Sequence, residues 1–304
     1  MLPIPDTEKL WLSWTGMETD LIFKRGIDLP GFASFPLLET ESGQALVRDY
    51  YLDQVKTARD AGCGVCLESL TWMANRNRAG PLGYDVTDLT RINRAAIALM
   101  AGLADGNDIC LSAQIGPAGD GYQASRFSVD AARAYHAEQI EVLAGTKADI
   151  LSAFTLGAVD EATGIVLAAS DVGKPVCIAF TVETDSCLPD GTPLAEAIDR
   201  VDQATGGTTA YFLVNCAHPD HLGSALDGNA SLARLAGVVA NASRKSHAEL
   251  DEATELDEGD PSELGQQLAV IRQRFPQMTV LGGCCGTDMR HLAAIGKAAR
   301  ENVL

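Results

Sequence analysis

A single (β/α)8 barrel is the fold class this sequence predicts, and three observations predict it. Eight short apolar runs alternate with stretches of helical spacing along the whole chain. The runs are continuously apolar rather than alternating, which is how strands covered on both faces by helices read. No linker divides the 304 residues, so one domain over 1–304 is expected. A doubly wound sheet shares the alternation and is the competing architecture.

The first run is Leu10 to Thr15, and the second is Gly64 to Leu67, followed by Glu68 and Ser69. Next come Ile109 to Ile115, Ile150 to Leu156 and Val176 to Val182. The last three are Tyr211 to Cys216, Leu235 to Ala240 and Thr279 to Gly283. Helical spacing fills the intervals. Gln44 to Ala61 places Val47, Tyr50, Tyr51, Val55 and Ala58 on one face, and Leu89 to Leu103 does so with Ile92, Ala96 and Leu99. Val129 to Leu143 follows Ser128 as N-cap. Leu194 to Val201 follows Thr192-Pro193, read as a cap and a first-turn proline, and Pro261 to Phe275 follows Asp260 in the same way.

Bulk properties narrow the function. Of the residues, 46% are hydrophobic, enough for a large core, and 41 acidic against 23 basic side chains give a net charge of -18. Such a surface repels phosphate backbones and anionic lipid, so neither nucleic acid nor a membrane is an expected partner. No run of about 18 apolar residues suggests a spanning helix. The opening Met1-Leu2-Pro3-Ile4-Pro5-Asp6 lacks the pattern of a signal peptide, and eight irregularly spaced cysteines do not read as a disulfide framework. A cytoplasmic protein is expected.

Chemistry concentrates at two strand ends. Cys284 and Cys285 stand between glycines in Val280-Leu281-Gly282-Gly283-Cys284-Cys285-Gly286-Thr287-Asp288, and Cys216 closes the run Tyr211 to Asn215. A free cysteine is often a small buried hydrophobe, and a lone Cys216 reads that way. Adjacent cysteines on a strand point to opposite faces, so both can meet one ion only where the backbone turns; Gly283 and Gly286 would permit that. In a barrel the chemistry sits at the C-terminal strand ends, where all three fall. Three cysteines with a fourth position open suit a catalytic zinc.

The other cysteines read differently. Cys63-Gly64-Val65-Cys66 has redox spacing but begins a strand and lacks a partner pair, while Cys110, Cys177 and Cys187 read as core or loop. His218 and His221 are read as surface groups, and the acidic run Glu249 to Asp260 as a solvated loop over the barrel mouth.

On these residues the chain resembles the homocysteine S-methyltransferase family. Gly282-Gly283-Cys284-Cys285-Gly286-Thr287 is similar to that family's most specific motif, Asn215-Cys216 to its earlier cysteine motif, and Ile115-Gly116-Pro117 to its third-strand motif. Thr15-Gly16-Met17-Glu18-Thr19-Asp20-Leu21 resembles an altered N-terminal signature, and Asp190-Gly191-Thr192-Pro193-Leu194 also matches in place. The resemblance implies zinc, Zn(2+), on Cys216, Cys284 and Cys285, a pocket using Trp14, Thr19, Glu68, Trp72, Phe154 and Asn215, and a place in methionine metabolism. The partners implied are a thiol acceptor and a methyl donor.

Departures fall where the family grips the ammonium of homocysteine. Trp14 stands in place of an aspartate and Phe154 in place of a glutamate, and the second-strand motif runs Glu68-Ser69-Leu70. Homocysteine is therefore expected to be a poor acceptor, and a thiol without an ammonium a better one, unless Glu18, Asp20 or Glu68 takes over the role of the missing carboxylates. The chain lacks the extra domains of relatives that use folate, so the donor is expected to be S-methylmethionine, S-adenosylmethionine or a betaine-type quaternary ammonium. Trp14, Trp72, Tyr84 and Phe154 could face such a cation, and Arg76 or Arg78 an anionic tail. Two rival readings are a thiol- or metal-binding barrel without transferase activity, and a phosphate-binding barrel that uses Gly282-Gly283.

Overall fold

The computed structural model describes residues 9–123, 127–228 and 230–301. Eight parallel strands close into a barrel in chain order. They are β1 (Trp11–Ser13), β2 (Gly64–Glu68), β3 (Ile109–Ile115), β4 (Ile150–Leu156), β5 (Val176–Phe180), β6 (Tyr211–Asn215), β7 (Leu235–Ala240) and β8 (Val280–Gly283). β8 closes the barrel on β1, with Trp11 beside Val280 and Ser13 beside Gly282. All eight apolar runs became strands, and the doubly wound alternative falls away. A Cβ on Gly282 would run into the Ser13 carbonyl, so the seam needs glycine there.

The helices are α1 (Met17–Thr19), α2 (Glu41–Asp60), α3 (Arg76–Ala79), α4 (Val86–Ala101), α5 (Val129–Ala144), α6 (Val159–Asp171), α7 (Leu194–Thr205), α8 (His247–Asp251), α9 (Pro261–Arg274) and α10 (Met289–Glu301). α1 runs on into a π-type turn, Asp20–Lys24. Ser128 and Asp260 cap α5 and α9 as expected, each accepting the backbone N–H three residues on. None of the described helices is long and apolar enough to cross a membrane.

Three elements differ from the sequence reading. Pro193 occupies the N-cap of α7 itself, because Asp190 closes a turn onto the Thr192 N–H at 2.8 Å and delays the helix by one residue. α6 is buried on nearly every side and lacks a capping side chain, so neither an amphipathic stripe nor a cap announced it. The buried stripe of α10 includes His291 and Gly296, which dilute its apolar signal. In β4 the register with β5 slips between Ala153 and Leu156, a bulge at the C-terminal end of the strand.

Candidate metal centre and active site

Cys216, Cys284 and Cys285 converge at the C-terminal strand ends, with their sulfurs all within 4.8 Å of one another. Thiolates about 2.3 Å from one tetrahedral zinc stand about 3.8 Å apart, so this donor set fits zinc with small adjustments. The Cys216 and Cys284 sulfurs are paired as a disulfide, with Cα atoms 5.5 Å apart, and Cys285 is free. The sequence reading took all three as thiols. A metal on the same sulfurs requires the reduced pair, because the thiolate is the ligand.

The backbone turn follows a different route from the one expected. Gly286 supplies a positive φ of 80°, but Gly283 does not, and Cys216 itself takes the left-handed region at 54°. The Cys216 carbonyl is held there by the Asn241 amide at 3.0 Å and by His247 Nε2 at 2.6 Å. On the other side, Thr19 Oγ1 donates to the Gly16 carbonyl at 2.8 Å and accepts from the Gly286 N–H at 3.1 Å, tying the N-terminal motif to the paired-cysteine turn. The Gly283 and Cys284 N–H groups are spent on the Trp14 and Ala240 carbonyls, so neither is free there to hold a phosphate.

An inner cavity opens on the three cysteines. Trp14, Trp72 and Phe154 line it, as do Thr19 and Asn215. Five of the six expected substrate residues are therefore gathered here. Asn215 Oδ1 accepts from the Thr155 N–H and its Nδ2 donates to Thr155 Oγ1, both at 2.8 Å. Trp72 Nε1 is anchored on the Phe154 carbonyl at 3.1 Å. Glu68, the sixth, does not line this cavity. Its carboxylate lies inside the barrel, accepting from Ser13 at 3.1 Å and Ser152 at 2.5 Å, and burial pushes its pKa up against these bonds.

Other expectations need correction. Tyr84 packs edge-on against Phe35 at 4.9 Å instead of facing the site. Arg76 pairs with Glu138 at 2.5 Å, leaving Arg78 as the arginine near the mouth. His218 is buried rather than on the surface: its Nδ1 accepts from the Asp220 N–H at 3.1 Å, and burial holds its pKa down at about 4. His221 bonds the Arg244 carbonyl. Cys63 and Cys66 are buried at and near the start of β2, outside the cluster. The acidic run does cover the mouth, lining an outer cavity through Asp251, Glu255 and Asp257.

Two residues of the site were not among the expected site residues: Glu18, named in the sequence reading only as a fallback for the missing aspartate, and His247. Glu18 is the only charged side chain among the described residues of the inner cavity. Ser34 donates to it at 2.7 Å, it has no cationic partner among the described residues, and burial raises its pKa. Its place two residues into the N-terminal glycine motif was the signal available. His247 bridges the Cys216 carbonyl and Glu183, and packs 4.0 Å from the Tyr122 ring; it opens the short helix α8 with no functional motif around it in sequence, and only the fold reveals it. Burial, with the Glu18 charge second, pushes the free Cys285 thiol up to about 12.

Residues 15–299 match the homocysteine S-methyltransferase family. The chain belongs to that family. Among solved structures, it is similar to the homocysteine methyltransferase MmuM from Escherichia coli in three states. The oxidized form is 22% identical with a TM-score of 0.70, covering 95% of each chain. The metallated form is 21% identical with a TM-score of 0.67, covering 95% of this chain and 96% of the other. The apo form is 20% identical, covers 95% of each and has a TM-score of 0.61. At these identities the likeness speaks for the fold. No curated protein matches the chain. The family assignment makes the protein a methyltransferase by kinship and adds weight to a small-molecule thiol as partner.

Proposed function

We propose that the protein moves a methyl group from a sulfonium or quaternary ammonium donor to a thiol, in a cavity where reduced Cys216, Cys284 and Cys285 hold zinc. The observation that carries this reading is the convergence of three sulfurs on the floor of an aromatic cavity that holds a single carboxylate. Zinc held there would supply the Lewis acidity that keeps an acceptor thiol deprotonated at neutral pH.

The chain's own residues do the rest. Trp14, Trp72 and Phe154 exclude water and offer π faces to a donor cation. Fixing donor and acceptor in one cavity lowers the barrier by removing orientational freedom. Glu18 can accept from an ammonium. The expectation that homocysteine is a poor acceptor assumed a pocket without a carboxylate, and Glu18 removes that premise. The acceptor class we propose is therefore an amino thiol, homocysteine included.

The test combines metal content and transfer. Reduced protein should hold one zinc per chain by elemental analysis, and Cys216→Ser, Cys284→Ser and Cys285→Ser should each lose it, while Cys66→Ser keeps it. The zinc-loaded protein should methylate homocysteine or a related thiol from S-methylmethionine, S-adenosylmethionine or betaine. Full zinc in Cys285→Ser, or no transfer to any thiol, overturns the reading.

A further inference from the structure

The outer cavity joins the inner one through Thr19, Phe32, Trp72, Tyr122 and Cys285, which face both. Arg78 is the only lysine or arginine among the described residues lining it. Its guanidinium is oriented without being neutralised. Nε donates to Met73 Sδ at 3.1 Å, Nη1 donates to the Gly119 carbonyl, and the group lies 5.2 Å from the centroid of the Trp72 ring. Arg76, Arg91 and Arg133 each hold a carboxylate, but Arg78 pairs with none among the described residues. Asp120 is near enough to be felt through space, yet its oxygens accept from the Tyr122 N–H and from Gln123.

A planar cation held over an aromatic ring with donors to spare suits a planar oxyanion bound by two parallel hydrogen bonds. The surroundings narrow the choice. The other charged residues lining this cavity are Asp120, Asp251, Glu255 and Asp257, in a chain of net charge -18. Such a field repels a phosphate dianion, but acts weakly on a carboxylate whose molecule also carries a cation. Glu18, further in, is placed to take that cation.

We propose that Arg78 is the residue that recognises the carboxylate of the substrate. The inference rests on the methyl-transfer reading and assigns one determinant of its specificity. The carboxylate can belong to the acceptor or to the donor, and matched pairs distinguish the two. The acceptor pair is homocysteine and 3-aminopropane-1-thiol; the donor pair is S-methylmethionine and (3-aminopropyl)dimethylsulfonium. Each pair differs only by the carboxylate.

Arg78→Met should lower kcat/KM for the carboxylate-bearing member of one pair by about 10- to 100-fold, chiefly through KM, and leave its partner unchanged. Arg78→Lys, which keeps the charge without the fork, should fall between. The pair that responds names the source. Equal losses for both members of both pairs mean a structural role and overturn the proposal, as does no loss. Calorimetric titration of all four compounds into the reduced protein reads the same ratios without turnover. If no thiol is methylated, the transfer reading fails, while the binding ratios still decide the role of Arg78.

Discussion

Asn215 spends both ends of its amide on Thr155, and the reason lies in the backbone. Phe32, Thr155 and Cys216 hold positive φ values of 63°, 62° and 54°, and all three line the inner cavity. Non-glycine residues persist in this region only where their surroundings enforce it. Asn215→Ala should leave the Thr155 N–H unpaired and destabilise the fold by about 1–3 kcal/mol in urea unfolding, with weaker zinc retention because Cys216 is the next residue. Unchanged stability and unchanged zinc would show that the strain is held elsewhere. The residue types at this site were partly legible in the sequence. The three cysteines declared themselves by glycine context and by falling at strand ends. Glu18 was visible in the motif but entered only as a fallback for the missing aspartate, because a linear motif does not say which side chain turns inward. His247 reaches Cys216 from the start of α8, through a contact that sequence cannot show.

At the scale of elements, the acidic loop proves to be a clasp. Lys24 in the π-type turn bonds Glu258 at 2.8 Å and Asp288 at 2.7 Å, and His291 in α10 joins Asp288 at 3.0 Å and the Glu258 carbonyl at 2.9 Å. Burial alone would raise the Asp288 carboxyl, but hydrogen bonds from His291, Arg290 and Lys24 outweigh it and hold the group well below the usual carboxylate range. A depressed carboxylate stabilises the folded state above its unfolded pKa and loses that contribution as pH falls through its folded value. Asp288→Asn should therefore cost about 1–2 kcal/mol near pH 7 after allowance for solvent exposure, and the difference from the parent should shrink below about pH 4. Chemical denaturation across pH 3 to 8 measures this; a gap that does not depend on pH would refute it. The strands and the long helices other than α6 and α10 were legible because burial on two faces and helical spacing both leave marks in sequence. The clasp and the β4 bulge were not, since each depends on partners far apart in the chain.

For the whole molecule, the metal would bridge distant strands, β6 and the end of β8. A ligand that binds only the folded state stabilises it by mass action, by about 2.7 kcal/mol at one hundred times its Kd. Zinc added to reduced protein should raise Tm by about 5 °C in thermal melts, and zinc without reductant by much less, because the Cys216–Cys284 pair then offers no thiolate. An equal rise in Cys285→Ser would count against the shared site. The barrel itself was the most legible level: eight runs in chain order leave few ways to close.

The seam between β8 and β1 has a consequence for how the protein comes into being. The two adjacent cysteines lie just past the last strand to be made, and the Gly16 and Thr19 clasp that steadies their turn belongs to the beginning of the chain. During synthesis seven strands can emerge and pack before the donor set exists. If zinc binds these sulfurs, its acquisition should therefore follow closure of the barrel, and metal content should report, molecule by molecule, whether β1 and β8 have met.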